Sequence, residues 1–170
     1  MTSLVVTLVG PDRPGLVGVV SDVVRNHGGN WLESRMSHLA GQFAGIVLVD
    51  APQDSVAALK EGLAALGDKG LKVVVGQDSA DSPSTQAGQM LTMNVVANDR
   101  AGIVREVTSV LAALSINVEE FTTECADAPQ GGSRIFKAAA SICLPEDLQI
   151  ETLREEMEGL AADLMIDFSD

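Results

Sequence analysis

An apolar, β-branched run from Leu4 to Val9 ends at the turn signal Gly10–Pro11 and reads as a strand. The spacing then changes. Leu16, Val19, Val20, Val23 and Val24 fall at i, i+3, i+4, i+7 and i+8, which places them on one buried face of a helix. Ser21, Asp22, Arg25 and Asn26 take its wet face, and His27-Gly28-Gly29 stops it, because glycine accepts the positive φ of a helix C-terminus. The chain then predicts a hairpin, extended from Asn30 to about Ala40, turning at Gly41–Gln42 and returning from Phe43 to Val49. Val56, Leu59, Leu63 and Leu66 line a second helix, Gly67 to Gly70 break it, and Leu71 to Val75 supply a last strand. The order is β-α-β-β-α-β, the split βαβ of ferredoxin-like domains.

Residues 77 to 88 are polar, with Ser, Pro, Thr, Gln and Gly, and read as a flexible linker. The pattern then starts again. Met90 to Val96 is a strand, and Ile103, Val107, Val110, Leu111 and Leu114 line a helix. Ile116 to Glu124 and Gly132 to Leu144 form a hairpin, Ile150, Leu153, Met157 and Leu160 line a second helix, and Leu164, Ile166 and Phe168 alternate as the final strand. Asp12, Gly15, Leu16 and Asn30 match Asp99, Gly102, Ile103 and Asn117 at a constant shift of 87, read directly from their numbers. Past the hairpin the shift becomes 93 to 94, so six or seven residues are inserted around Ala126 to Gly132. A rival register at 97 matches Glu61–Ala65 to Glu158–Ala162. Both registers bury the same helix face. The expectation is an α+β chain of two modules, 1–76 and 89–170, each an antiparallel sheet with helices on one face.

Composition narrows the function. The 170 residues are 46% hydrophobic but only 3% aromatic, so the cores are built from Val, Leu, Ile and Ala. Eleven Lys and Arg against 24 Asp and Glu give a formal charge of −13, which repels phosphate backbones and acidic membranes and argues against direct nucleic-acid or membrane binding. The N-terminus lacks a basic segment and meets Pro11 too early for a secretory signal, and no apolar run approaches the roughly 20 residues of a membrane span. The two cysteines, Cys125 and Cys143, read as reduced and partly buried thiols of a cytoplasmic protein.

Catalytic, metal and cofactor patterns are missing from the sequence. His27 and His38 have no counterparts in the second repeat, and no Ser, Cys or His set has the arrangement of a nucleophilic site. Glycine-rich phosphate-loop signatures are absent. Glu119 and Glu120 are neighbours on a strand, face opposite sides, and read as solvent acids. No enzyme, metal or cofactor is expected. What stands out is Asp12-Arg13-Pro14-Gly15-Leu16, repeated as Asp99-Arg100-Ala101-Gly102-Ile103. A strand-to-helix loop of this kind offers backbone N–H groups at a helix start, a place to hold the carboxylate of a small ligand. Asp12 and Asp99 are expected to cap the helices, with Pro14 in the first turn. Gly15 and Gly102 lack a Cβ, so a ligand or another chain can approach the backbone. Asn30 and Asn117 are placed at the start of the second strand, at the loop end of the sheet, with amides suited to a zwitterion. Trp31, the only Trp, reads as a packing anchor.

Val-Gly-Pro-Asp-Arg-Pro-Gly-Leu-Val (residues 9–17) and His-Gly-Gly-Asn-Trp-Leu-Glu-Ser-Arg (27–35) resemble an ACT domain, and the second half resembles one less closely. Two such domains without an attached enzyme are similar to the glycine cleavage system transcriptional repressor family. The first repeat also resembles the N-terminal domain of formyltetrahydrofolate deformylase, whose catalytic domain is absent here. The resemblance implies that an amino acid, glycine among the candidates, binds between paired ACT domains, in a homodimer or between the repeats. Carried onto this chain, it selects Asp12, Arg13, Pro14, Gly15, Leu16 and Asn30, with Asp99, Gly102, Ile103 and Asn117 in the second repeat. It also implies action through a partner protein, a transcription factor that itself contacts DNA. The alternative is a detached regulatory subunit of an enzyme of amino-acid or one-carbon metabolism. The second copy has Ala101 for Pro14 and Ser115–Ile116 for Gly28–Gly29, so the first loop is expected to be the stronger site.

Overall fold

In a computed structural model that describes residues 1–77, 87–129 and 131–170, Leu4, Val6 and Leu8 form the buried row of strand β1 (Thr2–Pro11). The chain continues as α1 (Leu16–Asn26), β2 (Asn30–Leu39), β3 (Gln42–Ala51), α2 (Val56–Ala64) and β4 (Lys72–Gln77). These strands make an antiparallel sheet in the order β2-β3-β1-β4. Leu16, Val20 and Val24 of α1 and Val56, Leu59 and Leu63 of α2 are buried against it, with Val19 and Val23 half-buried beside them. Gly67 to Gly70 do not stop α2 abruptly. The helix tightens into a 3-10 turn over Ala65–Lys69, and Gly70, at φ 83°, releases the chain into β4.

The second unit repeats this with β5 (Gly88–Asn98), α3 (Ile103–Ala113), β6 (Asn117–Asp127), β7 (Arg134–Pro145), α4 (Ile150–Glu158) and β8 (Met165–Ser169), in the sheet order β6-β7-β5-β8. The chain divides into compact units Met1–Ser82 and Pro83–Asp170, each with its own core. Gln77 and Gly88 belong to the flanking strands, and most of the stretch read as a flexible linker, residues 78–86, lies outside the described residues.

The insertion has a definite place. β2 and β3 meet at Leu39 opposite Gln42 across a two-residue turn, Ala40–Gly41, both at positive φ, the geometry of a type I′ hairpin. β6 and β7 meet at Asp127 opposite Arg134, so six residues bridge the second tip. At the helices the shift is 94, because Leu59 and Leu63 match Leu153 and Met157, all fully buried. The rival register would put Leu160, half-buried past the end of α4, in Leu63's place.

Both edge strands carry a β-bulge, at Trp31/Glu33 and at Val118/Glu120. The extra residues are Leu32 and Glu119, which the shift of 87 makes equivalent. The bulge breaks the strict alternation expected of Glu119 and Glu120, and both carboxylates are exposed. Among the described residues no helix is long and apolar enough to cross a membrane.

Candidate functional site

The loop Asp12–Gly15 leaves β1 and enters α1. Gly15, not Asp12, is the N-cap, at φ 87°, a left-handed conformation that glycine adopts without steric cost. No side chain caps the helix, so its first-turn N–H groups are left without a side-chain acceptor. The expected Asp12 cap is therefore corrected. Asp12 lies three residues too early, its N–H donates to the Gly41 carbonyl at 2.9 Å, and its carboxylate stands 3.6 Å from His38 Nε2. Pro14 also precedes the cap instead of occupying the first turn. In the second unit Gly102, at φ 89°, caps α3, while the Asp99 N–H donates to the Arg134 carbonyl at 2.8 Å. Each loop is thus tied to the tip of its own hairpin. Cys125 occupies the position equivalent to His38 and is exposed, not partly buried as expected; local desolvation followed by the Asp99 carboxylate raises its thiol pKa.

Arg13, Pro14, Gly15, Leu16 and Val19 form one wall of a cleft of about 390 Å3. Asp68, Lys69 and Leu71 form the other. In the sequence Asp68 and Lys69 look like part of a helix breaker, and their signal is a charged pair held between two glycines. Arg13, Lys69 and the open helix start can receive a carboxylate, and Asp68 can receive an ammonium group. Leu16 is buried, so it contributes chiefly its backbone.

The second loop does not assemble this charge set. Arg100 is ion-paired with Glu106 in the first turn of α3, and its Nη1 is buried without a hydrogen-bond partner. Ala161 and Ala162 precede Leu164 where Asp68 and Lys69 precede Leu71. Asp163 accepts the Asn98 N–H at 2.8 Å, and that bond holds its carboxyl below the ordinary range against a smaller opposing effect of desolvation. The second loop keeps one unmet donor but lacks the opposite charged wall. Ile103, like Leu16, is buried.

Asn30 and Asn117 are at the other end of their sheets. Asn30 pairs with Asp50, near the start of β1, and Asp50 Oδ1 accepts the Ser3 hydroxyl at 2.5 Å. Asn117 pairs with Cys143 and donates its amide to Glu119. The placement at the loop end is corrected for a simple reason. α1 runs back along β1, so β2 starts where β1 started, and the nine-residue run of β2 to the hairpin tip separates Asn30 from the loop by about 30 Å. Within one unit, Arg13 to Leu16 come together with Asp68 and Lys69, and Asn30 does not join them. Among the described residues no three His, Cys, Asp or Glu side chains are grouped to hold a metal ion.

Comparison with known proteins adds to this geometry. The ACT-domain family model matches residues 2–76. A UPF0237 protein of Methanopyrus kandleri is 38% identical over 78 residues, 44% of this chain and 87% of that protein. The glycine cleavage system transcriptional repressor of Escherichia coli is 23% identical over 120 residues, 71% of this chain and 63% of the repressor. Among solved structures, an unknown protein from Galdieria sulphuraria matches with a TM-score of 0.79 and 32% identity, over 99% of this chain and 97% of its own. A crystal structure assigned as a glycine cleavage system transcriptional repressor matches with a TM-score of 0.71 and 21% identity, over 99% and 98%.

Proposed function

The chain belongs to the ACT-domain family, and from that premise we propose that it is an amino-acid-sensing regulator, not a catalyst. Its ligand is a small zwitterion, with glycine the first candidate, bound in the cleft between Arg13–Gly15 and Asp68–Lys69. The observation that carries this reading is that one cleft of about 390 Å3 brings two cations, one anion and an uncapped helix start together. The likeness to glycine cleavage system repressors favours transcriptional control through a DNA-binding partner, and the charge of −13 agrees with leaving DNA contact to that partner. A detached subunit that regulates an enzyme of amino-acid or one-carbon metabolism is the second reading.

We also propose a homodimer. On the sheet face away from the helices, Val9, Ile46 and Val74 are exposed, an apolar surface that association would cover. Asn30 can reach a ligand at an Arg13 loop only from another copy of the chain that brings that end of its sheet to the loop, as binding between paired ACT domains would require. In the second unit Asp99, Gly102, Ile103 and Asn117 form the weaker counterpart.

Ligand binding regulates the partner only through differential affinity for two states, with a coupling typically about 1–3 kcal/mol. Calorimetry with a panel of amino acids tests the shared core of both readings. A small amino acid is expected to bind the wild type, and Arg13→Ala to weaken it more than Arg100→Ala, because Arg100 is already paired with Glu106. No binding by any amino acid would sink the sensor reading. A pull-down with and without the bound amino acid then separates a transcription factor from an enzyme.

A further inference from the structure

The second unit carries a groove at a place where the first unit packs its own side chains closely. It lies between α3 and α4, has a volume of about 580 Å3, and is lined by Val110, Ala113, Leu114 and Leu160, with Glu156 on the α4 side. The counterparts of Leu114 and Glu156 in the first unit are His27 and Gly62, by the shifts of 87 and 94. There the helices are closed by the imidazole. His27 lies so near Gly62 that a Cβ at Gly62 would come within 2.8 Å of its ring, and His27 Nδ1 is 2.8 Å from the Val23 carbonyl oxygen.

Charge selects the occupant. From residue 87 onward the chain has fifteen acidic and five basic side chains, whereas up to residue 77 it has seven and six. α4 alone contributes Glu151, Glu155, Glu156 and Glu158. Its one base, Arg154, is committed elsewhere, over the Phe168 ring at 5.0 Å and donating to the Ile166 carbonyl at 2.9 Å. Arg105, at the α3 end, is the one base lining the groove, and Glu106 there is paired with Arg100. A second copy of this unit would bring the same excess of acid against it. We propose that the groove seats an amphipathic helix of a cationic protein partner, with apolar residues against Val110, Leu114 and Leu160 and Lys or Arg along the Glu156 side. α3 is about 16 Å long at 1.5 Å per residue, enough to support a partner helix of three turns. This inference rests on the reading that the chain acts through a protein partner, and it adds where that partner docks.

The test uses the full chain and a fluorescein-labelled model helix of Leu and Lys, with apolar residues on one face. Fluorescence anisotropy is expected to show saturable binding to the wild type. It should be about tenfold weaker for Leu114→Gln with an unchanged circular dichroism spectrum, and absent for a Leu and Glu peptide. Three results would overturn the proposal: a scrambled Leu and Lys peptide binding equally well, which would mean surface charge alone; full binding by a folded Leu114→Gln; or sedimentation showing that Leu114→Gln breaks a dimer, which would make a second copy the occupant. Amino-acid calorimetry on the same samples reads the Arg13 cleft separately, so loss of the sensor reading and loss of the docking groove give different results.

Discussion

At Gly28 and Ser115 the two units make the same left-handed exit from their first helices with different residues, at φ 70° and 56°. The hydrogen bonds match as well, Gly29 N–H to Val24 and Ile116 N–H to Leu111, each 2.9 Å. A Cβ in this region costs about 1–2 kcal/mol. Ser115→Gly is therefore expected to stabilise its unit by about 0.5–1 kcal/mol, and Gly28→Ala to destabilise the other by about 1 kcal/mol, in urea unfolding. A Ser115→Gly variant that unfolds at lower urea would refute the strain argument. Asp163 supports a pH prediction. Its folded pKa lies below the unfolded value, so its stabilisation is present above the ordinary carboxylate range and is lost as pH falls through the folded pKa. Asp163→Asn should lower the urea midpoint at pH 7, and the difference should shrink as pH falls through the folded pKa of the wild-type carboxyl.

The helices and the central strands are legible because their two sides differ in polarity. Leu16, Val20 and Val24 show the helix face in the sequence itself, as do Ile103, Val107 and Leu111. What misled was the junctions. Asp12 has the chemistry of a cap, but a glycine able to turn left-handed sits three residues later and takes the position. Asn30 is at the far end of the sheet from the loop, and sequence order does not show it because the helix returns the chain to its starting point. The bulges were invisible for a different reason: β2 and β6 are largely exposed edge strands, and an extra residue there leaves no trace in a polarity pattern. Trp31 packs against the first core. Deleting Leu32, the extra residue, leaves Trp31 opposite Val49 and Glu33 opposite Leu48 in a regular ladder, so Trp31 should stay on the core face. Tryptophan emission, which reports Trp31 alone because the chain has one Trp, is expected to keep its wavelength. A red shift would mean that the deletion slips the register and turns Trp31 out of the core.

For the whole molecule, duplication gives each unit a core of its own among the described residues. Leu63 is completely buried in the first, so Leu63→Ala should cost that unit about 2–5 kcal/mol. Calorimetric unfolding should then show one transition lowered and the other in place; both moving together would show that the units unfold as one. The tight hairpin tip belongs to the half with the better-equipped cleft, and the six-residue tip to the half with the open helix groove. The bulges carry a different message, about design. Leu32 and Glu119 share neither chemistry nor size, yet each is the extra residue at the same step of the same edge strand. An irregularity that two such unlike residues fill equally well belongs to the backbone plan of the module and not to the side chain that occupies it.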